Sequence, residues 1–395
     1  MIRIPSNCTG CSACISVCPK ECIRHSTDAE GFMTPLIDPS ECIDCNLCEK
    51  VCPALNQNTS NRTMEFLVGQ NESYDITRQS SSGGIFYLIG KRVLDMGGVV
   101  YGAAFDYNAG VSVKHLRVTD INDLRRILGS KYVQSDINGI FRSVKKDLSE
   151  DRQVLFSGTP CQVAGLKRFL RKDYDTLLTV DVICHGVPSP EVFSRYVKEV
   201  EKRKSDECGK IFKITHFSFR DKLYGWNSFG VSYQIESSDG SGDSEKIFRG
   251  RYEDPYMKGF LYDLYLRESC HDCPVKDFSS GSDITLADAW GIETIMYSPS
   301  FDKGFSLAVP HSEAGKECLS AIGVKWQHAD LNFMVTNNPA AFKSATPHKK
   351  RKTFFRLIND GKSISEAVGI CLPEPTFFSR IMWSISKKLK RYAKK

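Results

Sequence analysis

Along most of the chain, short apolar runs alternate with stretches whose apolar residues recur every three or four positions, the pattern of strands followed by helices. EFLVGQ (65–70) predicts a strand, and IFYLIGKRVLDMG (85–97) a helix led in by the loop SSSGG. GVVYGAAF (98–105) and VSVKHLRV (111–118) are rich in β-branched and aromatic residues. DINDLRRIL (120–128) opens on an aspartate cap, and INGIFRSVKKDL (137–148) has helical spacing. The cleanest βαβ pattern follows: QVLFSG (153–158), the helix TPCQVAGLKRFLRK (159–172) and LLTVDVICHG (177–186), then the helix PEVFSRYVKEVEKRK (190–204). Alternation of this kind predicts an α/β domain with a largely parallel sheet. Residues 210–249 break it with the hairpin-like strands KIFKITHFSF, FGVSYQIE and EKIFRG, predicting an antiparallel extension. ITLADAW and FSLAVP supply two later strands, and beyond about residue 345 the chain is basic and is expected to be peripheral.

The first 53 residues follow a different rule. They carry Cys-x2-Cys-x2-Cys-x3-Cys-Pro twice, as Cys8, Cys11, Cys14, Cys18-Pro19 and Cys42, Cys45, Cys48, Cys52-Pro53. Three thiolates on one tight loop wrap three corners of a 4Fe–4S cube, and the fourth, before the proline, reaches the neighbouring cube. Cys8, Cys11, Cys14 and Cys52 are thus expected on one cluster, and Cys42, Cys45, Cys48 and Cys18 on the other. The segment resembles a bacterial two-cluster ferredoxin, an α+β ferredoxin-like module. Zinc ribbons use cysteine pairs separated by long loops, which this spacing does not match. Cys22 lies outside the pattern and is expected to be a small buried side chain.

Composition sets the wider limits. With 395 residues, 41% of them hydrophobic, the chain can bury a large core beside the cluster module. The expected division is 1–55 for the module, 65–345 for the α/β domain and 346–395 for a basic extension, with the polar stretch 56–63 as linker. No run approaches the roughly 18 apolar residues of a membrane span. MIRIPSNCTG shows no signal-peptide pattern, and sixteen cysteines grouped like metal ligands predict a reducing cytoplasm. Seven positive charges lie beyond Pro375 without an acidic residue, so subtracting them from the net +6 leaves the body at −1. A near-neutral body argues against a nucleic-acid partner. In the tail (376–395), Phe377, Ile381, Ile385 and Leu389 form an apolar stripe beside lysines. A helix of that kind either lies on an anionic membrane surface as a peripheral contact or packs on the body.

Four further cysteines stand apart: Cys161 in SGTPCQ, Cys184 in ICHG, and Cys270 with Cys273 in CHDCP. Cys161 follows one predicted strand and Cys184 ends the next, and consecutive parallel strands end on the edge where open α/β folds hold ligands. Taken singly, each thiol is equally well a buried core residue.

From about Ser80 to Glu293, the motifs QSSSGG, GSKYVQS, FSGTPCQVAGLK, DVICHGVPSP, FRDK, CHDCP and DITLADAWG resemble the beta-subunit family of coenzyme F420 hydrogenases and dehydrogenases. The resemblance implies a bound FAD and a third 4Fe–4S cluster on Cys161, Cys184, Cys270 and Cys273. It gives the SSGG loop a role: the hydroxyls of Ser81 and Ser82, the bare backbone of Gly83 and Gly84, and the amides of the following helix can hold a pyrophosphate. Without the resemblance SSGG is a loop leading into a helix. Lys131 would place a cation beside the flavin, where otherwise it is a solvated lysine. Tyr132 and Gln134 would contact the ring, although core packing explains Tyr132 as well. Thr159 is either a donor to the cofactor or the helix cap. His185, next to Cys184, is a candidate proton donor to substrate or a histidine that merely supports the cluster.

The function these expectations describe is an iron–sulfur flavoprotein oxidoreductase. Ferredoxin or a similar electron-carrier protein would feed single electrons through the clusters to FAD for two-electron reduction of a small organic substrate. The alternative is an electron-transfer subunit that docks on a separate hydrogenase or dehydrogenase catalytic subunit.

Overall fold

The computed structural model describes residues 3–58 and 64–373. The amphipathic tail expected at 376–395 lies outside the described residues. Thirteen strands are described: β1 (Ile23–Thr27), β2 (Met33–Ile37), β3 (Phe66–Gly69), β4 (Val99–Asp106), β5 (Ser112–Val118), β6 (Val154–Ser157), β7 (Leu177–Val182), β8 (Phe212–Asp221), β9 (Gly230–Ser237), β10 (Ser244–Gly250), β11 (Ile284–Asp288), β12 (Ser306–Pro310) and β13 (Gln327–Ala329).

In the N-terminal module, β1 and β2 form an antiparallel hairpin in the register Ile23↔Ile37 to Thr27↔Met33. The two cysteine motifs turn alike. Ser12 (φ 65°) and Asn46 (φ 57°) each follow the second cysteine of a motif in the left-handed region and lead into the short helices Ala13–Val17 and Leu47–Lys50. That turn folds the loop back so that its three thiols face one side.

Eight strands build the main sheet in the order β13-β3-β12-β11-β7-β6-β4-β5. Its centre is parallel, since β11 pairs with β7, β7 with β6 and β6 with β4 in that sense. Its flanks, β5 on one side and β12, β3 and β13 on the other, are antiparallel. On one face, Val100, Ala104, Leu155, Val180, Ile284 and Leu286 pack on the helix Ile85–Asp95. On the other, Val99, Tyr101, Val154 and Phe156 pack on the helices Ile140–Ser149 and Pro160–Leu170. The α/β architecture read from the alternation is the one observed, and β8, β9 and β10 form the antiparallel extension as a separate three-stranded sheet.

A bulge in β8 matters for the site. Ser218 pairs with Ser232 and Asp221 with Gly230, which leaves one extra residue on β8. The strict alternation fails there and Phe219 and Arg220 are both buried. Bulges re-aim side chains in this way.

The stretch after residue 345 is not peripheral as its charge suggests. Helices Arg351–Asn359 and Ile364–Cys371 put Phe354, Phe355, Ile358, Ile364 and Val368 into the same core as Phe193 and Tyr256. Lys349, Lys350, Arg351 and Lys352 dominate the linear composition, but helical spacing turns the apolar residues to one side. Arg351 is itself buried, pairing with Glu30 of the cluster module and donating to the Leu266 carbonyl.

The module docks through specific contacts. Phe32 enters the core of the body, and Ala13 and Val51 pack with the helix Pro160–Leu170. Gly165 on that helix lies so close to the first motif that a Cβ there would meet Cys11 Sγ at 3.0 Å.

Candidate functional site

Three cavities each collect four of the named thiols. Cys8, Cys11, Cys14 and Cys52 line the first. Cys18, Cys42, Cys45 and Cys48 line the second, so each motif's last cysteine sits with the other motif's first three. Cys161, Cys184, Cys270 and Cys273 line the third, at the carboxyl ends of β6 and β7. Among the described residues no three His, Cys, Asp or Glu side chains stand close enough to share one metal ion. A four-iron cube takes one thiolate at each of four corners and suits a wider spread than a mononuclear zinc, whose Zn–S bonds are near 2.3 Å.

The donor chemistry fits such a group. Burial, then the neighbouring thiols, pushes Cys14 up to about 12. Burial and Cys270 push Cys184 well above the ordinary thiol value, and burial takes Cys270 itself up to about 12. Thiols packed together in an apolar pocket hold their protons until a metal takes their place. Cys22 is buried as expected, but its sulfur lies 3.4 Å from that of Cys18 and it also lines the second cavity.

The first and third cavities adjoin. Thr9 lines both. Arg267, 5% exposed, donates through Nε to the Cys8 carbonyl at 2.8 Å and through Nη1 to the Met33 carbonyl at 2.9 Å. Burial raises Cys161 and Cys270, and the charge of Arg267 offsets a small part of that rise in both. Lys276 closes the other side, donating to the Cys184 carbonyl at 2.8 Å and to that of Ala340 at 2.6 Å. The second cavity lies outermost, beside the exposed Cys45 and Ile43.

The SSGG and GSKYVQS loops meet one another. Ser81 Oγ lies 2.8 Å from Ser130 Oγ and accepts from the Ser130 amide at 2.7 Å. Ser82 Oγ donates to Asp288 at 2.5 Å. Gly83 leaves no room for a side chain, since a Cβ would meet the Gly69 carbonyl at 2.7 Å, and Gly84 (φ +79°) turns the chain into the helix Ile85–Asp95. Arg220, delivered by the β8 bulge, is paired with Asp288 (both bonds 2.9 Å) and donates to the Ser81 carbonyl and to the Tyr132 hydroxyl. Lys222 binds the carbonyls of Thr77, Ser82 and Lys303. Ser80 Oγ and Arg220 Nε are buried without a hydrogen-bond partner. Two orphaned donors beside an uncapped helix N-terminus suit an anionic phosphate.

The other expected residues fall as follows. Lys131 Nζ donates to the carbonyls of Leu128 (2.6 Å) and Gly129 (3.1 Å); burial presses it down to about 7, but these acceptors hold the proton and we take it as an ammonium. Tyr132 stacks on Phe260 with centroids 4.5 Å apart, and Phe260 meets the edge of His185 at 5.6 Å. This aromatic ladder joins the SSGG side to the third cavity. His185 lines that cavity, with Nε2 2.5 Å from Asp263 Oδ1. Thr159 begins the helix Pro160–Leu170, its amide donating to Gln162 and its hydroxyl 3.2 Å from Cys161 Sγ. Gln134 is directed elsewhere: its Oε1 accepts from the Met33 amide at 3.0 Å, so it ties the body to the cluster module.

Sequence reasoning missed Arg220, Lys222, Arg267, Lys276 and Asp288 as parts of the site. For Arg220 and Lys222 the FRDK motif was the available signal, since it sets two cations at the end of a strand, where such residues seldom bury without a reason.

Comparison with known proteins agrees with this layout. Residues 7–56 match a 4Fe-4S dicluster domain, and residues 151–327 match the family described as the C terminus of the coenzyme F420 hydrogenase/dehydrogenase beta subunit. The second match includes all four cysteines of the third cavity but begins after QSSSGG and GSKYVQS. No curated protein matches the chain. A chain in the xenon-derivatized structure of the F420-reducing [NiFe] hydrogenase complex from Methanosarcina barkeri is similar at 14% identity, covering 82% of this chain and 95% of that one, with a TM-score of 0.42. A likeness that distant carries no argument. Among the described residues no helix is long and apolar enough to cross a membrane.

Proposed function

We propose that this iron–sulfur electron-transfer protein is an FAD-dependent oxidoreductase holding three 4Fe–4S clusters, one on each of the three thiol quartets. The observation that carries the reading is the shared wall between the first and third cavities, made by Thr9 and latched by Arg267. Iron–sulfur clusters carry single electrons and a flavin accepts one or two, which couples a one-electron donor to a two-electron reduction. Cys45 and Ile43 present the outer quartet to a donor such as ferredoxin. Ser80, Ser81, Ser82 and Arg220 hold the cofactor's phosphates, Lys131 sets a positive charge beside its ring, and Tyr132 and Phe260 bridge it to the third quartet. His185, oriented by Asp263, donates a proton to the organic substrate.

Anaerobic purification with iron, zinc and flavin analysis tests the proposal. The expected result is about twelve irons, as three four-iron cubes require, with one flavin and no stoichiometric zinc. About eight irons and no flavin would reduce the protein to a ferredoxin-like carrier.

A second reading is favoured by the family description, which names a beta subunit. On it the chain hands electrons to or from a separate catalytic partner. Isolation with a stoichiometric second chain, and no substrate reduction by the protein alone, would select it.

A further inference from the structure

Beneath the third cavity runs a seam of buried polar groups that electron transfer alone does not require. Asp181 on β7 is 1% exposed and lines the cavity. Its Cα pairs in register with that of Thr285 on the parallel neighbour β11. Thr285 Oγ1 donates to Asp181 Oδ1 at 2.5 Å, and Ser280 Oγ donates to Oδ2 at 2.5 Å. Thr285 Oγ1 also lies 2.8 Å from His311 Nε2, and His311 is half-buried at the end of β12. Thr285 has one proton and gives it to Asp181, so Nε2 is the donor to Thr285. The bonds therefore run in one direction, from the surface inward.

We propose that His311, Thr285 and Asp181 form a proton intake path to the cavity of Cys161, Cys184, Cys270 and Cys273. In one transfer a solvent proton binds the His311 ring at Nδ1, and the Nε2–H bond breaks as a new O–H bond forms at Thr285 Oγ1. The hydroxyl proton that Thr285 held passes to Asp181 Oδ1, and His311 is left neutral with its proton on Nδ1, to return to the Nε2–H form by exchange with solvent. One proton moves, no electron is needed, and the carboxylate ends neutral. Only the driving force rests on the electron-transfer reading: negative charge gained among the four thiolates raises the proton affinity of Asp181.

The surroundings support a carboxyl poised to take that proton. Burial, opposed by the hydroxyls of Ser280, Thr285 and Ser282 and aided by Asp283, raises Asp181 to about 6. Asp283 is held by Thr179 and by Lys167, whose Nζ is 3.5 Å away. Lys276, across the cavity, is committed to two backbone carbonyls. No cation is bonded to Asp181 among the described residues.

Infrared spectroscopy of the full chain tests this in two arms. In a pH titration of the protein as purified, a buried carboxylic acid band should titrate near 6 and be absent from Asp181→Asn. A wild-type protein without that band, or a variant that keeps it, overturns the proposal. In the second arm, anaerobic reduction should make the band grow, several-fold more slowly in Thr285→Val and at the normal rate in Thr285→Ser. Equal rates in all three overturn the path. An absent paramagnetic cluster signal on reduction would instead sink the electron-transfer reading, and the first arm would still decide for Asp181.

Discussion

The N-terminal quartets and the third quartet use the same residue type but are assembled differently. Each N-terminal quartet draws three thiols from one seven-residue loop, and a left-handed residue after the second cysteine suffices to turn them together. The third draws on a helix start, a strand end and a 3₁₀ segment, brought together by the order of β6, β7 and β11 in the sheet. The first kind of site is local and forms with its loop. The second exists only when the domain is folded, so its integrity reports on the body.

Removing one thiol from each kind breaks the comparison most sharply. Cys161→Ser should lose the third quartet's iron, about a third of the total, and leave the N-terminal irons in place. On the proposed function, electron delivery to a bound flavin should then fall by orders of magnitude. Cys14→Ser should do the reverse, sparing the body's iron. Iron analysis with paramagnetic resonance checks both; equal loss of all irons in Cys161→Ser would mean that the two kinds of site do not form independently.

Arg267 joins the two regions, so its loss should loosen one against the other. Arg267→Ala leaves the Cys8 and Met33 carbonyls without their donor. Leaving buried acceptors unpaired costs about 2 kcal/mol, or roughly thirtyfold in a local opening equilibrium. Hydrogen exchange should show that increase in β1 and β2 with the eight-stranded sheet unchanged. Uniform loss of protection would place Arg267 in the general core.

The body also carries a pH dependence that follows from Asp181. Its folded value, about 6, lies above the ordinary 3.8. Between those values the folded chain binds the extra proton, so the contribution to stability is full below the ordinary value and is lost as pH rises through about 6. The amplitude is on the order of 3 kcal/mol. Urea unfolding of wild type and Asp181→Asn at several pH values should diverge across that window and run parallel above it. Parallel curves throughout would show an ordinary carboxyl.

How far the sequence revealed each region follows the same division. The doubled motif reached the module's quartets directly, because their geometry is written in consecutive residues. Period-two and period-3.6 patterns reached the parallel centre of the sheet, where each strand is a short apolar run. Arg267, Arg220 and Gln134 were not legible, since what each does depends on partners more than a hundred residues away or on a bulge that no alternation predicts. The helices after residue 350 were hidden by charge, as their apolar side becomes visible only once the chain is coiled.

Lys131 tests the finest distinction, between a residue that tunes the flavin and one that only closes its loop. Its ammonium already satisfies the Leu128 and Gly129 carbonyls, contacts that order the loop whether or not a cofactor is bound. The same charge, held next to Ser130 and hence next to the SSGG loop, would also stabilise a reduced flavin anion. One charge at about 10 Å in an effective dielectric of about 20 contributes roughly 1–2 kcal/mol. Lys131→Met should therefore lower the flavin's reduction potential by that modest amount, and Lys131→Arg should restore it, while the iron content of both variants matches wild type. A potential that does not move while flavin occupancy drops would leave Lys131 with the loop alone. The charge on the SSGG side would then have to come from Arg220, whose guanidinium is fixed by Asp288 and does not depend on that loop.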